Sequence, residues 1–345
     1  MIMKRIISVF LIIATLLSLS ACSQGEKRYE KSFIDLFDTA STLIAYDVSQ
    51  ESFDEHFAQL HEKLEEYNRL FDIYHDYDGI NNIKTLNDTA GTEPVEVDER
   101  IIDLLLYGKE LYRLSGGNTN ICFGAVLEIW HDYREKGIND PDSAELPEYE
   151  KLLEASGHTD IDDLVINEED GTVYFADGYM KLDVGAIAKG YACREVCKWA
   201  KENLWQSFAL SLGGNVYTAG LKEDGERWNI SVENPDTSSQ EALCTVRVSG
   251  LSVVTSGDYQ RYYTVEGRNY CHIINTETLM PSEYFSGITV ICEDSALADA
   301  LSTTLFNMPY EDGRELVEGL DGVEALWCDK EYKQYYSSGF EEFIN

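Results

Sequence analysis

Apolar residues recur along this chain in two periods, and the change from one to the other marks its architecture. Over 53–67 and 101–114 they return every three or four positions, the spacing of one buried helix face. The second run stops at Ser115-Gly116-Gly117, a helix-ending signal. Between 132 and 146 the pattern is lost among charges and broken by Gly137 and Pro141, which predicts a surface insertion. From Thr172 onward the period shortens, and strands are predicted over 172–175, 179–182, 208–212, 228–232, 244–248, 262–265, 271–274 and 287–291. A final strand pair is predicted at 324–328 and 332–336, and helices at 188–204, 295–306 and 312–320. Because strands cluster and helices do not alternate with them regularly, the pattern predicts an α+β fold. Its sheet is expected to be mixed and largely antiparallel, not doubly wound and parallel.

The first residues follow a different rule. Lys4 and Arg5 precede a mostly apolar stretch over 6–17, too short to span a bilayer, and Leu19-Ser20-Ala21-Cys22 follows. This reads as an export signal, and the cysteine resembles the lipobox of bacterial lipoproteins, in which the cysteine is acylated. The expectation is a signal peptide over 1–21, lipidated Cys22 with a polar tether over 22–32, and one functional domain over 33–345. Such a protein is exported and tethered by lipid to the bacterial cell membrane, its domain outside the cytoplasm.

Charge narrows the possible ligands. The 345 residues carry 63 Asp and Glu against 27 Lys and Arg, a formal net charge of −36. Nucleic-acid binding requires a basic patch, so it is not expected. Any phosphate site must then rely on backbone amides, a few lysines and a metal ion. Of the eight cysteines none forms a Cys-x-x-Cys pair, so zinc-ribbon and thioredoxin readings lack support. Cys193 and Cys197 share a helix face and read as small packing residues.

Four segments carry candidate chemistry. Asp299 and Thr303 lie four apart on a predicted helix, so a carboxylate and a hydroxyl point the same way, a hard-oxygen pair suited to magnesium. At that spacing such a pair is more commonly a solvated face, but the neighbours Ala296, Leu297, Ala300, Leu301 and Leu305 would make an unpaired aspartate costly. Gly185-Ala186-Ile187-Ala188-Lys189-Gly190 runs a strand end into a helix start, where backbone can approach phosphates and Lys189 adds a point charge. Gly213-Gly214-Asn215 reads as a hairpin or bulge. Thr255-Ser256-Gly257-Asp258 gathers hydroxyls, amides and a carboxylate in one turn, and His272 follows a strand pattern.

Together, in this order, these segments resemble the signature set of the ApbE-type FAD:protein FMN transferases. The resemblance runs from about Phe33 to Leu305 and includes Tyr74, Asn81, Ser115-Gly116-Gly117, Trp228, Glu233-Asn234-Pro235 and Tyr259-Gln260-Arg261-Tyr262. It implies that Asp299, Thr303 and the carbonyl of Ala186 hold magnesium against the pyrophosphate of FAD. It also implies that Gly185, Ala186, Lys189, Gly190, Gly213, Gly214, Asn215, Thr255, Ser256, Gly257 and His272 surround the flavin nucleotide.

The implied reaction is attack by a threonine or serine hydroxyl of an acceptor protein on the FMN-side phosphorus, with AMP leaving. Lys189, His272 and Asp258 are the catalytic candidates, with Asp258 or His272 taking the hydroxyl proton. Exported flavoprotein domains, or flavin-carrying subunits of membrane electron-transfer complexes, are the implied acceptors. Three positions depart from the family pattern. Asn120 and Asn275 stand where carboxylates are usual, and Arg194 replaces an aspartate. They leave open an FAD-binding lipoprotein, or a pyrophosphatase releasing AMP and FMN. A lipid-anchored solute-binding protein is the remaining alternative, and it would require two alternating lobes.

Overall fold

The computed structural model describes residues 25–344, so the signal and Cys22 lie outside the described residues. Eight strands form the main sheet, and their spatial order is their chain order. They are β1 (Lys27–Phe33), β2 (Ser41–Asp47), β3 (Phe208–Leu212), β4 (Asn215–Ala219), β5 (Ser252–Gly257), β6 (Gly287–Cys292), β7 (Glu324–Cys328) and β8 (Gln334–Tyr336). Every neighbouring pair is antiparallel. The fold is α+β, as the clustering of strands predicts.

Eight α-helices accompany the described strands: α1 (Gln50–Phe71), α2 (Ile83–Asp88), α3 (Glu99–Leu114), α4 (Gly124–Asn139), α5 (Tyr149–Ser156), α6 (Ala188–Asn203), α7 (Ser295–Phe306) and α8 (Tyr310–Glu318). Helix α7 packs on β5 and β6 and against α6, which in turn meets α1. All six residues of β6 are buried, which explains why Gly287-Ile288-Thr289-Val290-Ile291-Cys292 reads as a near-continuous apolar run. Cys193 and Cys197 sit in the apolar layer between α1, α6 and β3, both fully buried. Among the described residues no helix is long and apolar enough to cross a membrane.

The structure corrects several boundaries, each for a physical reason. Residues expected to be tether form β1, which pairs with β2 from Lys27 to Phe33. An edge strand exposes its outer side, so it can be as charged as Lys-Arg-Tyr-Glu-Lys while Phe33 alone is buried. The segment read as a charged insertion from 132 is the second half of α4. Gly137 is helical there because an added Cβ would lie 2.6 Å from the Tyr263 ring, so the glycine permits packing and does not end the helix. Over 179–182 there is a single parallel bridge, Phe123 to Lys181, and no strand. Asn87 replaces a strand partner there, its Oδ1 accepting from Leu182 N at 2.7 Å and its Nδ2 donating to Leu182 O at 3.0 Å. The strand predicted over 271–274 lies earlier, at Arg268–Cys271, paired with Tyr262–Val265.

The β3–β4 hairpin turns on two residues, Gly213 (φ +56°) and Gly214 (φ +90°). Two consecutive positive φ values are what a two-residue hairpin needs to match strand twist. A Cβ on Gly213 would also lie 2.1 Å from Thr39 Oγ1. Gly213→Ala should therefore cost about 1–3 kcal/mol. The cost should appear as a lower urea midpoint at unchanged slope. An unshifted midpoint would show that the Thr39 segment yields freely.

Candidate functional site

A cavity of about 750 Å³ opens where the start of α6, the middle of α7, the β3–β4 hairpin and the end of β5 converge. Its most constrained group is Asp299, on α7 and only 5% exposed. Helix α6 begins without a side-chain cap of its own. The missing partner comes from α7: Gly190 N donates to Asp299 Oδ2 at 2.7 Å. Here a carboxylate caps a helix N-terminus from a neighbouring helix, with the favourable sign for the helix dipole. Only glycine allows this approach. A Cβ at Gly190 would lie 2.4 Å from Asp299 Cβ and 2.5 Å from Ser295 O.

Burial raises the Asp299 pKa, opposed first by the charge of Lys189 and then by the Gly190 amide. Asp299, Thr303 and Ala186 all line the cavity. Among the described residues no three His, Cys, Asp or Glu side chains converge as a metal cluster. A desolvated carboxylate one helical turn from a hydroxyl, in a cavity that Ala186 also lines, is nevertheless a hard-oxygen pair that fits a hard cation.

The other expected residues divide into those at the cavity wall and those behind it. Gly185, Lys189, Gly213, Gly214, Asn215, Thr255, Ser256 and His272 line it. Asn215 is 1% exposed; its Oδ1 accepts from Ser295 Oγ at 2.7 Å, while its Nδ2 has no bond partner. The hydroxyls of Thr255 and Ser256 are engaged with Thr289 and Ser302, at 2.9 and 2.7 Å. Gly190 and Gly257 stand behind the wall. Gly257 accommodates the Tyr259 ring, which a Cβ would approach to 2.3 Å.

Asp258 is not brought to this cavity. It lines a neighbouring one of about 440 Å³, where Lys330 Nζ donates to its Oδ2 at 2.7 Å. The two proton acceptors left open by sequence are thus separated. His272 remains. Its Nδ1 is 3.2 Å from the Arg261 carbonyl, which can only accept, so Nδ1 carries the proton and Nε2 is a free lone pair. Burial, then the charges of Arg134 and Arg261, push the His272 pKa down to about 3.

The cavity residues given no role from sequence include Asp183, His131 and Arg134. Asp183 accepts from Gly185 N at 2.8 Å, and burial raises its pKa. His131 and Arg134 both fall on α4; Arg134 lies in the stretch over 132–146 read as a surface insertion, and His131 just before it. Their spacing of three, which puts both on one helix face, was the available signal.

Comparison with known proteins gives the family. The model of the ApbE family matches residues 37–327. The chain belongs to the ApbE family. It is 30% identical over 277 residues to the FAD:protein FMN transferase of Treponema pallidum, covering 76% of this chain and 74% of that one. It is 26% identical to that of Haemophilus influenzae, over 92% and 91% of the two chains. The crystal structure of the ApbE protein from Thermotoga maritima superposes with a TM-score of 0.81 at 26% identity, covering 92% of this chain and all of that one.

The three departures from the ApbE pattern now have structural explanations. Asn120 Nδ2 donates to Thr159 O at 2.9 Å while its Oδ1 accepts from Cys122 N at 2.9 Å. Asn275 Nδ2 donates to Asn307 O at 2.9 Å, and its Oδ1 accepts from the amides of Glu277 and Thr278. A carboxylate at either position would face a carbonyl with no proton to offer. Arg194 lies away from the cavity, bonded to Glu195 and Asp294 and stacked 4.4 Å from the Tyr191 ring centroid.

Two outcomes follow from these environments. Asn275→Asp should lower stability by about 1–3 kcal/mol at neutral pH. Its carboxyl pKa would be raised by the Asn307 carbonyl, so the loss should shrink as pH falls and the group protonates. Equal stability of the two forms in denaturant at pH 7 would contradict this. His272, depressed in the fold, should stay neutral in an NMR titration from pH 8 to 5. The stability it contributes is present above the unfolded value of about 6.5 and lost as pH falls toward 3. A His272 midpoint near 6.5 would refute the environment described.

Proposed function

We propose that this chain transfers FMN from FAD to a serine or threonine hydroxyl of an acceptor flavoprotein, releasing AMP. The reading is carried by membership of the ApbE family together with one geometric fact: the buried, Gly190-capped Asp299 faces the same cavity as Lys189 and His272. In the reaction the hydroxyl loses its proton and its oxygen bonds to the FMN-side phosphorus. The bridging phosphorus–oxygen bond breaks and AMP carries away the electron pair.

His272 Nε2 is a lone pair in the cavity that can take a hydrogen bond from that hydroxyl. Asp258, tied to Lys330 outside, plays no part in this step. Lys189 offers a point charge to the phosphates. Asp299, Thr303 and the Ala186 carbonyl would hold magnesium, which when bound neutralises pyrophosphate charge. The hydrolytic alternative rested on Asn120 and Asn275. Both amides have structural partners, so the acceptor-free reading has no observation in its favour.

The lipid anchor at Cys22 belongs to the same proposal. Only residues 23–26 separate Cys22 from β1, five backbone steps that reach about 17–18 Å when extended. A lipidated chain would therefore hold its domain close to the outer face of the bacterial membrane. That is where flavin-carrying subunits of membrane electron-transfer complexes, or other exported flavoproteins, would be acceptors.

The deciding experiment incubates an acceptor flavoprotein domain with the full chain, FAD and magnesium, and weighs the acceptor. One covalent FMN is expected, abolished by chelator and by Asp299→Ala. An unmodified acceptor with AMP and free FMN accumulating would establish hydrolysis instead. His272→Asn should slow transfer by about 10²-fold or more. Asp258→Asn should stay within about three-fold, roughly 0.7 kcal/mol of barrier.

A further inference from the structure

Helix α4 brings His131 and Arg134 to the cavity, and the transfer reaction as described uses neither. Arg134 Nη2 donates to His131 Nδ1 at 2.8 Å, which accepts through its ring lone pair. The His131 ring lies against Tyr74, with centroids 5.3 Å apart. The guanidinium is thus fixed from behind. Burial lowers its pKa, which is the mark of a cation short of compensation.

Arg113, Arg227 and Arg247 also lack a carboxylate partner among the described residues, but of the unpaired arginines only Arg134 and Arg261 line the cavity. Arg28, Arg69, Arg100, Arg194, Arg268 and Arg314 each have a carboxylate partner. Among the described residues, Arg134 bonds only to His131, and Arg261 only to the Asp38 carbonyl, at 3.0 Å. Two guanidiniums without carboxylates therefore share one cavity in a chain of net charge −36. Both repel a proton from His272, and Arg261 also depresses Arg134. The charged groups that face Arg134 are Arg261, Glu135 and Asp183, with the Tyr74 phenol beside them. The cation felt by Asp299 is Lys189, which is also felt by His272. Lys189 is thus within electrostatic reach of both the Asp299 carboxylate and the His272 ring.

We propose that Arg134, braced by His131, and Arg261 form a phosphate clamp beside His272 that receives the phosphate monoester of the departing nucleotide. This rests on the FMN-transfer reading. Charge balance supports the assignment. FAD brings two negative charges. After transfer the FMN phosphodiester keeps one, AMP carries two, and the hydroxyl proton has gone to a base. The additional charge appears on AMP, and a fixed pair of planar guanidiniums is the donor set suited to it.

The test titrates AMP and FMN separately into the full chain in detergent with a chelator present, which leaves Asp299 without a metal. AMP should bind, and Arg134→Ala should weaken it at least about ten-fold, the loss of one charge-assisted contact. Arg134→Lys should lose less, because the charge is kept without the fork. Asp299→Ala should leave AMP affinity within about two-fold, the limit of additivity between separated sites. In turnover, Arg134→Ala should relieve inhibition by AMP and lower kcat about 10²-fold, with little change in KM for FAD. Thermal melting of each variant separates these losses from unfolding.

AMP affinity unmoved by both Arg134→Ala and Arg261→Ala would overturn the clamp. So would a loss of FMN affinity in place of AMP affinity, or a rise only in KM for the acceptor, which would make the wall a docking surface. If no acceptor is modified yet AMP binding still requires Arg134, the transfer reading falls and the nucleotide clamp stands.

Discussion

The close approach of α6 and α7 at Gly190 and Asp299 is the constraint on which the site depends. A helix start without its own cap needs a partner for its amides, and a buried carboxylate needs donors. Each supplies the other through the 2.7 Å bond. The contact fixes Asp299 on the cavity wall and sets Lys189, one residue earlier, beside it. It also leaves the remaining carboxylate oxygen without a protein cation in direct contact. Any larger residue than glycine would separate the helices, so the glycine at the end of the motif serves packing as much as phosphate approach. The surrounding polar groups are ordered by the same packing. Ser295 beside this contact bonds Asn215, and Ser302 farther along α7 bonds Ser256, which ties the hairpin and β5 to one helix.

Much of this was legible because local patterns and tertiary needs agreed. The strands at Phe208–Leu212, Trp228–Val232, Cys244–Val248 and Glu324–Cys328 have the bounds their alternation predicts, and α7 spans its predicted 295–306. The failures share a cause: a residue whose local preference was overruled by a neighbour far away in sequence. Gly137 looks like a helix breaker until the Tyr263 ring occupies the space a Cβ would need. Lys27 to Lys31 look like a tether until β2 offers an edge. Asp258 looked like a base because it adjoins a turn that does line the cavity. Its pairing with Lys330, 72 positions on, could not be read from spacing.

Net charge alone does not decide how so acidic a chain handles a doubly charged nucleotide. Net charge acts at long range and is screened within about 8–10 Å at ordinary ionic strength. What the ligand meets inside is set by a few fixed groups: Lys189, Arg134, Arg261 and the amides of a helix start. Burying the His272 ring among the two arginines removes a third positive charge and converts it to a lone pair. An imidazole able to accept a hydroxyl proton, or at least its hydrogen bond, must be kept from protonating in advance. The arginines beside it impose that condition by repulsion. The cations that would stabilise an anionic leaving group and the neutral acceptor that would receive the nucleophile's hydrogen are therefore one electrostatic arrangement, and moving either arginine should disturb both.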